Sequence, residues 1–563
     1  MNLRKLLLIA FVFSGIAALI YELTWIRPLQ FLLGSTVYTI SIIFAAFMAG
    51  LSIGSWIMSR YVDDIKNLPK TYALFEIIIG LYGVLLLSIF NLLPRIYNYI
   101  YGLHIYFYIF EFVQFILIFI VLLIPTTLMG ATFPIIAKYY AEGKIGKGIG
   151  EIYSANNLGA IIGSFGAGFI LIPVLGIKYS IIFAGVINLI VGLGIILAVD
   201  KKSLKNTALI AILIFAILVL VGNYNIQKMH SGGFYRTDPN TGTLGDVVYY
   251  DEGLYATVTV RELTKDPTKE SIKSLFINGY GQGGATILDL RVNFLLAYLP
   301  LLINPKTENA LVIGLGTGTT SGQLAQLTKT TTIEIEPKIV EASDHFKLFN
   351  ANVLENPNHK LIIDDGRNYL LKNKEKYNLI ALESTNSWQS FSTQLYSREF
   401  FELIKEDLDD DGLFVKWVPI YLMSPEDFKN FYKTFSSVFP YNAAFANIKP
   451  DEDTPARFDT SEIILIGSKK ELEIDKDKFI QNYNALPEQS KKYLDAIRLG
   501  SGDEIYHLLL FTSQDMRGYA DDAEFVTDDN LILEFSAAKN VLNQKPKEVI
   551  DAINAFIEKN VVK

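Results

Sequence analysis

Apolar runs long enough to cross a lipid bilayer are confined to the first 222 residues of this chain. A membrane-spanning helix needs about 20 consecutive apolar residues, and runs near or above that length lie at residues 5–22, 36–58, 71–94, 104–124, 152–174, 179–199 and 207–222. The remaining residues alternate apolar and charged side chains, as water-soluble domains do. The sequence therefore predicts an N-terminal α-helical multi-pass membrane domain of about seven helices in the lipid bilayer, covering residues 1–223, and then a soluble part.

Lysine and arginine are concentrated in every second connection between these runs. These connections contain Arg4, Lys5, Arg60, Lys66, Lys70, Lys138, Lys144, Lys147, Lys201, Lys202 and Lys205. Because cytoplasmic loops are enriched in basic residues, the pattern predicts a multi-pass protein of the cell membrane with a cytoplasmic N-terminus. Seven crossings place the C-terminal domain outside the cytoplasm, whereas a seventh run lying in the membrane interface leaves it inside. The sequence leaves both arrangements open.

Small and acidic residues within the apolar runs set two further expectations. A four-residue spacing of small residues predicts close packing of helix backbones at Ala46, Gly50 and Gly54 and at Gly159, Gly163 and Ala167. An ionised carboxylate inside such a run is expensive unless it is paired. The acids concerned are Glu22, Glu76 and Glu111, and the candidate partners are Arg27, Asn156 and Asn157.

Length and composition exclude several classes of protein. A chain of 563 residues is longer than one core usually organises, so at least two domains are expected. The absence of cysteine excludes disulfides, thiolate metal sites and cysteine nucleophiles, and no metal site is predicted. A net charge of -8 argues against a nucleic-acid partner, which requires a basic surface, and favours a cationic ligand.

Strand signals begin at residue 246. The segments DVVYYDEGLYATVTV and KSLFING predict a small β-strand lid within a linker region at residues 224–285. Apolar strands then alternate with helix-length segments, at residues 309–314, 330–335, 360–363, 378–382 and 412–417. This alternation is typical of a doubly wound parallel sheet and predicts a Rossmann-like α/β domain at residues 286–470. Residues 471–563, with lysine-rich amphipathic stretches, are predicted to form a C-terminal helical extension.

A glycine-rich turn follows the first of these strands. In ALVIGLGTGTT, Gly314, Gly316 and Gly318 permit a tight turn and a close approach of the backbone to a ligand. Such turns also occur for steric reasons alone. The next strand adds to the signal, because TTTIEIEP places Glu334 twenty positions after Gly314, where a carboxylate can accept both ribose hydroxyls.

Acids also follow the third and fourth strands. LIIDDGRNYL ends in Asp364 and Asp365, and YNLIALESTNSW ends in Glu383. A single acid in this position is more often a helix N-cap than a catalyst. However, the carboxyl ends of parallel strands meet at one edge of the sheet, so these acids are expected to converge on one nucleoside-binding cleft.

The order of these segments resembles the spermidine synthase family, and most closely its membrane-fused members. The resemblance covers about residues 245–470 and rests on FINGYGQGG, LVIGLGTGTT, TIEIEP, IIDDGRNYL, YNLIALESTNSW and TQLYSREFFELIKEDLDDDGLFVKW. It implies a methyltransferase-type Rossmann fold and a polyamine aminopropyltransferase. Such an enzyme uses decarboxylated S-adenosylmethionine as co-substrate, transfers its aminopropyl group to a small-molecule amine, and releases methylthioadenosine. The resemblance also implies a homo-oligomer.

The resemblance assigns roles to individual residues. It implies that Gly314, Gly316 and Gly318 hold the nucleoside, that Glu334 holds the ribose and that Asp365 meets the adenine amino group, with Asp364 as a further cofactor-binding residue. Gln282 matches a glutamine of the gate region, and Asp289 lies near the acidic pair that holds the aminopropyl group. Glu383 stands where the family has its catalytic aspartate, so it is the predicted general base, with Tyr255 orienting the amine.

Three departures from the family pattern bear on the acceptor amine. Asn386 replaces a second aspartate, Ser387 replaces a proline, and Thr317 replaces an aspartate of the glycine turn. The loss of the charge at Asn386 puts putrescine in doubt and leaves a longer polyamine or another amine open. Asn386, Trp388 and Trp417 are the predicted contacts of the amine, the tryptophans through their aromatic faces.

Two other functions remain open at the level of sequence. An S-adenosylmethionine-dependent methyltransferase uses the same fold and nucleoside site. A polyamine transporter or sensor that binds ligand without turnover is consistent with the charges lost at Thr317 and Asn386.

Overall fold

The computed structural model describes residues 2–140, 145–222, 225, 229, 245–263, 272–383, 386–390, 392–448, 460–540 and 546–561. The chain divides into two compact units. The first comprises Met1–Leu244 with Asp251–Thr257 and Asn278–Tyr280, and the second comprises Gly245–Tyr250, Val258–Ile277 and Gly281–Lys563. Most of the predicted linker before residue 245 lies outside the described residues.

The first unit is a bundle of long apolar helices. They are α1 (Leu3–Leu33), α2 (Val37–Tyr61), α3 (Leu68–Phe90), a short α4 (Leu93–Tyr101), α5 (Phe107–Tyr140), α6 (Ile145–Gly166), α7 (Ile172–Val199) and α8 (Lys201–Val221). Six helical stretches of the described chain are long and apolar enough to cross a membrane. One of them, of 54 residues, contains both α6 and α7 and breaks at Gly176, whose φ is 74°. The predicted count of about seven treats these two helices separately.

Glycines bring the helices of the bundle into backbone contact, as the four-residue spacing predicted. A Cβ added at Gly54 in α2 would lie 1.8 Å from the carbonyl oxygen of Thr127 in α5. A Cβ added at Gly159 in α6 would lie 2.1 Å from the carbonyl oxygen of Val12 in α1. Both pairs of helices therefore pack at distances that only glycine permits.

The expected partner of one buried acid, Glu76, is corrected by the structure. Glu76 accepts hydrogen bonds from Ser14 and Asn188 rather than from Arg27 or the two consecutive asparagines. Arg27 instead donates to the carbonyl oxygen of Leu254 at 2.8 Å. A polar side chain therefore meets the carboxylate of Glu76 from each of two neighbouring helices.

Two sheets follow along the chain. The smaller has the order β1-β2-β3-β4 and consists of β1 (Asp246–Glu252), β2 (Thr257–Glu262), β3 (Lys273–Ile277) and β4 (Tyr280–Gly284). The larger consists of β5 (Asn309–Ile313), β6 (Lys329–Glu334), β7 (His359–Ile363), β8 (Tyr377–Leu382), β9 (Leu408–Val418), β10 (Tyr441–Ile448), β11 (Thr460–Ser468) and β12 (Leu509–Thr512).

The larger sheet is a doubly wound sheet with an antiparallel extension. Its order is β12-β10-β11-β9-β8-β5-β6-β7. Strands β7, β6, β5, β8 and β9 are parallel, whereas β11, β10 and β12 continue the sheet in antiparallel pairs. The strand order reverses at β5, between β6 and β8, and ligands of such sheets bind at the carboxyl ends beside this reversal.

Helices cover both faces of this sheet. In chain order the longer ones are α9 (Ile287–Ile303), α10 (Thr319–Ala325), α11 (Pro337–Ser343), α12 (Gly366–Lys372), α13 (Arg398–Asp407), α14 (Pro425–Val438), α15 (Lys476–Ala485), α16 (Glu488–Ala496), α17 (Ile532–Asn540) and α18 (Pro546–Val561). Successive residues of β5 alternate between the two cores, with Leu311 and Ile313 in one and Ala310 and Val312 in the other. The C-terminal extension, residues 471–563, was predicted to be helical. It also contains the strand β12, which joins the larger sheet.

Candidate active site

The turn after β5 adopts a backbone conformation that requires glycine. Gly314, Gly316 and Gly318 have φ values of 92°, 54° and 77°, which side chains with a Cβ rarely tolerate. Thr317 is buried between them, and its hydroxyl lies 2.8 Å from that of Thr319 at the start of α10. The turn therefore presents bare backbone at the carboxyl edge of the sheet.

Glu334, the last residue of β6, is held against this turn. One carboxylate oxygen accepts from the amide of Leu315 at 2.9 Å, and the other accepts from the amide of Glu336 at 2.9 Å. Burial raises the pKa of Glu334, although these amide donors oppose the shift. The two hydrogen bonds fix the carboxylate in position while leaving further lone pairs for a ligand.

Glu383 follows β8 directly and lies over the same turn. A Cβ added at Gly316 would be 3.3 Å from its Oε1. The side chain is 6% exposed, and its Oε2 has no hydrogen-bond partner among the described residues. Burial and then the nearby charge of Glu334 raise the pKa of Glu383 well above its ordinary value. This carboxylate is therefore able to take up a proton.

A small acidic cavity lies beside the turn. Its volume is about 60 Å³, and its lining includes Gln282, Asp289, Trp417, Tyr421 and Glu462. The sequence predicted Gln282, Asp289 and Trp417 as site residues. The structure brings these three together around one cavity. Two carboxylates and two aromatic rings around one small space suit a cation.

Both carboxylates of the cavity are held by polar neighbours. Asp289 accepts from the hydroxyl of Thr286 at 2.6 Å, and Glu462 accepts from the amide of Asn447 at 2.8 Å. Burial raises the pKa of Asp289. Burial, with a contribution from the charge of Asp289, raises the pKa of Glu462 to about 7. Each acid therefore resists ionisation in the absence of a compensating positive charge.

Thr320 in α10 connects the cavity to Glu383. Its hydroxyl lies 3.3 Å from the carbonyl oxygen of Asn293, a residue that lines the cavity. The same hydroxyl faces the carboxylate of Glu383 and opposes the rise of its pKa. Thr320 therefore lies between Glu383 and Asn293 of the cavity lining.

The remaining predicted residues occupy different surroundings. Asp365 caps α12, since its side chain accepts from the amide of Asn368 at 2.8 Å. Asp364 lies 3.7 Å from Lys372. Trp388 is fully buried and is not part of the cavity lining. Tyr255 belongs to the first unit and is 56% exposed.

Asn386 is fully buried, and neither atom of its side-chain amide has a hydrogen-bond partner among the described residues. Ser387 is in the same situation. Ser384 and Thr385, which precede them, lie outside the described residues. Buried amides without partners are rare, so the segment after β8 holds polar groups that a ligand would satisfy.

Sequence reasoning missed Glu462, Tyr421 and Lys416. Glu462 lies opposite Asn447 across the antiparallel pair β10–β11, a pairing that no local pattern specifies. Lys416 is fully buried in β9, its Nζ lies 3.8 Å from the ring centroid of Tyr396, and desolvation lowers its pKa. A lysine inside an apolar strand was the available signal for Lys416.

The chain is similar in sequence to proteins of known families. Residues 290–450 match the model of the spermine/spermidine synthase domain. Polyamine aminopropyltransferase 2 of Aquifex aeolicus (strain VF5) is 24% identical over 428 residues, which cover 74% of this chain and 79% of that protein. The polyamine aminopropyltransferase of Corynebacterium efficiens is 24% identical over 456 residues, which cover 78% of this chain and 83% of that protein. Both alignments cover more than the part of the chain after residue 223, so they include part of the helical region.

Among solved structures, the spermidine synthase of Thermotoga maritima is similar over 45% of this chain and 89% of its own, with 18% identity and a TM-score of 0.35. A probable spermidine synthase from Corynebacterium glutamicum is similar over 50% of this chain and 97% of its own, with 17% identity and a TM-score of 0.35.

Proposed function

We propose that this chain, which carries a spermine/spermidine synthase domain, transfers an aminopropyl group from decarboxylated S-adenosylmethionine to an amine and releases methylthioadenosine. The observation that carries the proposal is Glu383, a buried carboxylate with an unpaired oxygen that lies over the glycine turn, with Thr320 between it and the acidic cavity. An aminopropyl transfer needs these two features together, because a base must deprotonate the amine beside a positively charged donor.

The nucleoside is assigned to the glycine turn. The backbone at Gly314, Gly316 and Gly318 faces it without obstruction by side chains, and Glu334 accepts the ribose hydroxyls with lone pairs that its amide donors leave free. Asp364 lies at the ribose side. Asp365 uses one oxygen to cap α12, and its other oxygen accepts from the adenine amino group.

The chemistry requires no covalent enzyme intermediate. The amine nitrogen attacks the methylene carbon bonded to the sulfonium, a new C–N bond forms, and the C–S bond breaks with its electron pair left on sulfur. The proton lost from nitrogen passes to Glu383. Holding the amine in line supplies most of the rate enhancement, and a positioned base adds about 100- to 10,000-fold.

The acidic cavity selects for positive charge. Asp289 and Glu462 offer two carboxylates, and Trp417 offers an aromatic face, to the primary ammonium of the aminopropyl group. A donor that still has its carboxylate would place a negative charge beside these acids. This repulsion favours the decarboxylated cofactor over S-adenosylmethionine itself.

The acceptor is assigned to the segment after β8. The buried amide of Asn386 offers a neutral hydrogen-bonding group to the amine chain, and Trp388 lies in the same segment. Asn386 stands where the resemblance implies an aspartate. The acceptor is therefore an amine whose binding does not require a carboxylate at this position. The helical unit anchors the protein in a bilayer with a cytoplasmic N-terminus, and the protein assembles as a homo-oligomer.

The test uses the purified full-length protein with decarboxylated S-adenosylmethionine and a panel of amines, with products identified by mass spectrometry. We expect methylthioadenosine and an aminopropylated amine. Glu383→Gln is expected to lower kcat about 100- to 10,000-fold while the affinity for methylthioadenosine stays nearly unchanged. Glu375→Gln, which alters an exposed glutamate just before β8, is the matched control and should retain full activity.

The products also decide between the alternatives. S-adenosylhomocysteine formed from S-adenosylmethionine would indicate a methyltransferase. Binding of amines with no methylthioadenosine formed from any of them would indicate a sensor or transporter. Full activity of Glu383→Gln would refute the assignment of the base.

A further inference from the structure

The helical unit contains a buried carboxylate that the proposed reaction does not use. Glu76 lies in the middle of α3 and is fully buried. Its Oε1 accepts from the hydroxyl of Ser14 in α1 at 2.6 Å, and its Oε2 accepts from the amide of Asn188 in α7 at 2.6 Å. Three helices therefore converge on a single acid.

The charge of this acid has no basic counterpart in the described part of the bundle. Among the described residues its carboxylate contacts Ser14, Asn188 and Tyr72, none of which is basic. The ion pairs of the bundle lie at helix ends instead, as in Lys70–Asp200 and Lys138–Asp63. Because an unpaired buried carboxylate is costly, its charge must be neutralised by a proton or by another cation.

Oxygen atoms without partners surround Glu76. The hydroxyls of Tyr21 and Tyr72 interact electrostatically with its carboxylate, and both side chains are fully buried. The hydroxyl of Tyr72 faces the carboxylate of Glu76 itself. Neither the hydroxyl of Tyr21 nor Oδ1 of Asn188 has a hydrogen-bond partner in the helical residues that the structure describes. A proton on Glu76 would satisfy only one of these oxygens, whereas a metal cation is bound by several oxygens at once.

The helices are packed too closely here for a large ligand. A Cβ added at Gly83 would lie 2.6 Å from the hydroxyl of Tyr21, and one added at Gly80 would lie 3.0 Å from Cβ of Asn188. A single carboxylate balances one positive charge. The surroundings therefore fit a small monovalent ion and exclude an organic amine.

We propose that the helical unit binds a sodium ion at Glu76, with oxygen ligands from Ser14, Tyr21, Tyr72 and Asn188. The site is separate from the proposed transferase site and does not depend on that function. It makes the stability of the helical unit respond to Na⁺, because an ion that binds the folded state alone stabilises it.

The test measures the unfolding temperature of the full-length protein in detergent, in NaCl, KCl or choline chloride at equal ionic strength, together with binding of radioactive Na⁺. We expect a saturable rise of the unfolding temperature in Na⁺ that is absent in choline. Glu76→Gln should abolish both the rise and the binding. Glu111→Gln, which changes another largely buried acid of the bundle, is the matched control and should keep both.

Tyr21→Phe is the second variant, to be used if Glu76→Gln does not fold. It keeps the ring against Gly83 and removes only one hydroxyl, so it should weaken Na⁺ binding about tenfold, as expected for the loss of one ligand. Equal unfolding temperatures in NaCl and choline chloride, or Na⁺ binding that survives Glu76→Gln, would overturn the proposal. A protonated carboxyl seen by infrared spectroscopy that does not change with Na⁺ would do the same.

Discussion

Glu462 shows how a single residue makes the acidic cavity sensitive to pH. Burial and the neighbouring charge of Asp289 raise its pKa to about 7, so it is neutral below that pH and ionised above it. Burial also raises the pKa of Asp289. The cavity therefore loses negative charge as pH falls through about 7, where Glu462 takes up a proton.

We predict that affinity for decarboxylated S-adenosylmethionine falls as pH is lowered below about 7, by up to about tenfold per pH unit. The measurement is calorimetric titration of this donor into Glu383→Gln protein without an amine, so that neither turnover nor titration of the base contributes. Adding Glu462→Gln should weaken binding and reduce its change between pH 6 and 8. Glu471→Gln, at an exposed position, is the control and should leave the pH dependence of binding intact. A Glu462→Gln variant that binds with the original pH dependence would contradict the assignment.

The residues of the site were predictable to different degrees. Glu334 and Glu383 end parallel strands, and the topology of a doubly wound sheet places such residues at one edge, so a local pattern located them. Glu462 reaches the cavity through the pairing of β11 with β10, and pairings between antiparallel strands have no local signature. The unpaired amide of Asn386 depends on packing that no spacing encodes.

At the scale of elements, the helices of the bundle rely on glycine contacts. Gly50 and Gly54 of α2 face α5, and Gly130 of α5 faces α2, where an added Cβ would lie 2.0 Å from the carbonyl oxygen of Leu51. Because these neighbours are mostly backbone atoms, a side chain cannot be accommodated by a change of rotamer. The two helices would have to separate.

We predict that Gly54→Ala lowers the unfolding temperature of the detergent-purified protein by roughly 2–10 °C, because overpacking costs about 1–3 kcal/mol. Gly194→Ala is the matched control, since Gly194 is also helical and has no atom within 4 Å of an added Cβ. Alanine is the better helix former, so this control should be unchanged or more stable. Equal effects of the two substitutions, measured by thermal unfolding, would argue against the close contact.

Elements were predicted best where periodicity was long or topology strict. The five parallel strands lie within a few residues of their predicted positions, since each apolar run is bounded by turn residues. The break at Gly176 falls between the two apolar runs predicted at residues 152–174 and 179–199. The four residues of β12 are too few for a pattern and form a strand only because β10 offers an edge.

At the scale of the whole molecule, the basic residues mark one end of the helical bundle. Lys70 at the start of α3 pairs with Asp200 before α8, and Lys138 at the end of α5 pairs with Asp63 after α2. The start of α8 therefore lies at the basic end. Since α8 is a continuous helix to Val221, its C-terminal end lies at the opposite end of the bundle.

The positive-inside rule then predicts that the basic end is cytoplasmic and that the soluble domain follows on the other side. The chain has no cysteine, so single cysteines introduced at exposed positions can be labelled without interference. In intact cells a membrane-impermeant maleimide should label Glu375→Cys but should label Lys66→Cys, in the loop after α2, only after permeabilisation. The reverse pattern would make the N-terminus extracytoplasmic and place the soluble domain on the side where adenosylmethionine derivatives are made. If the labelling follows the expected pattern, the soluble domain lies outside the cytoplasm. Intact cells should then form methylthioadenosine only when the decarboxylated donor is added to the medium. The same cells can be used to measure this.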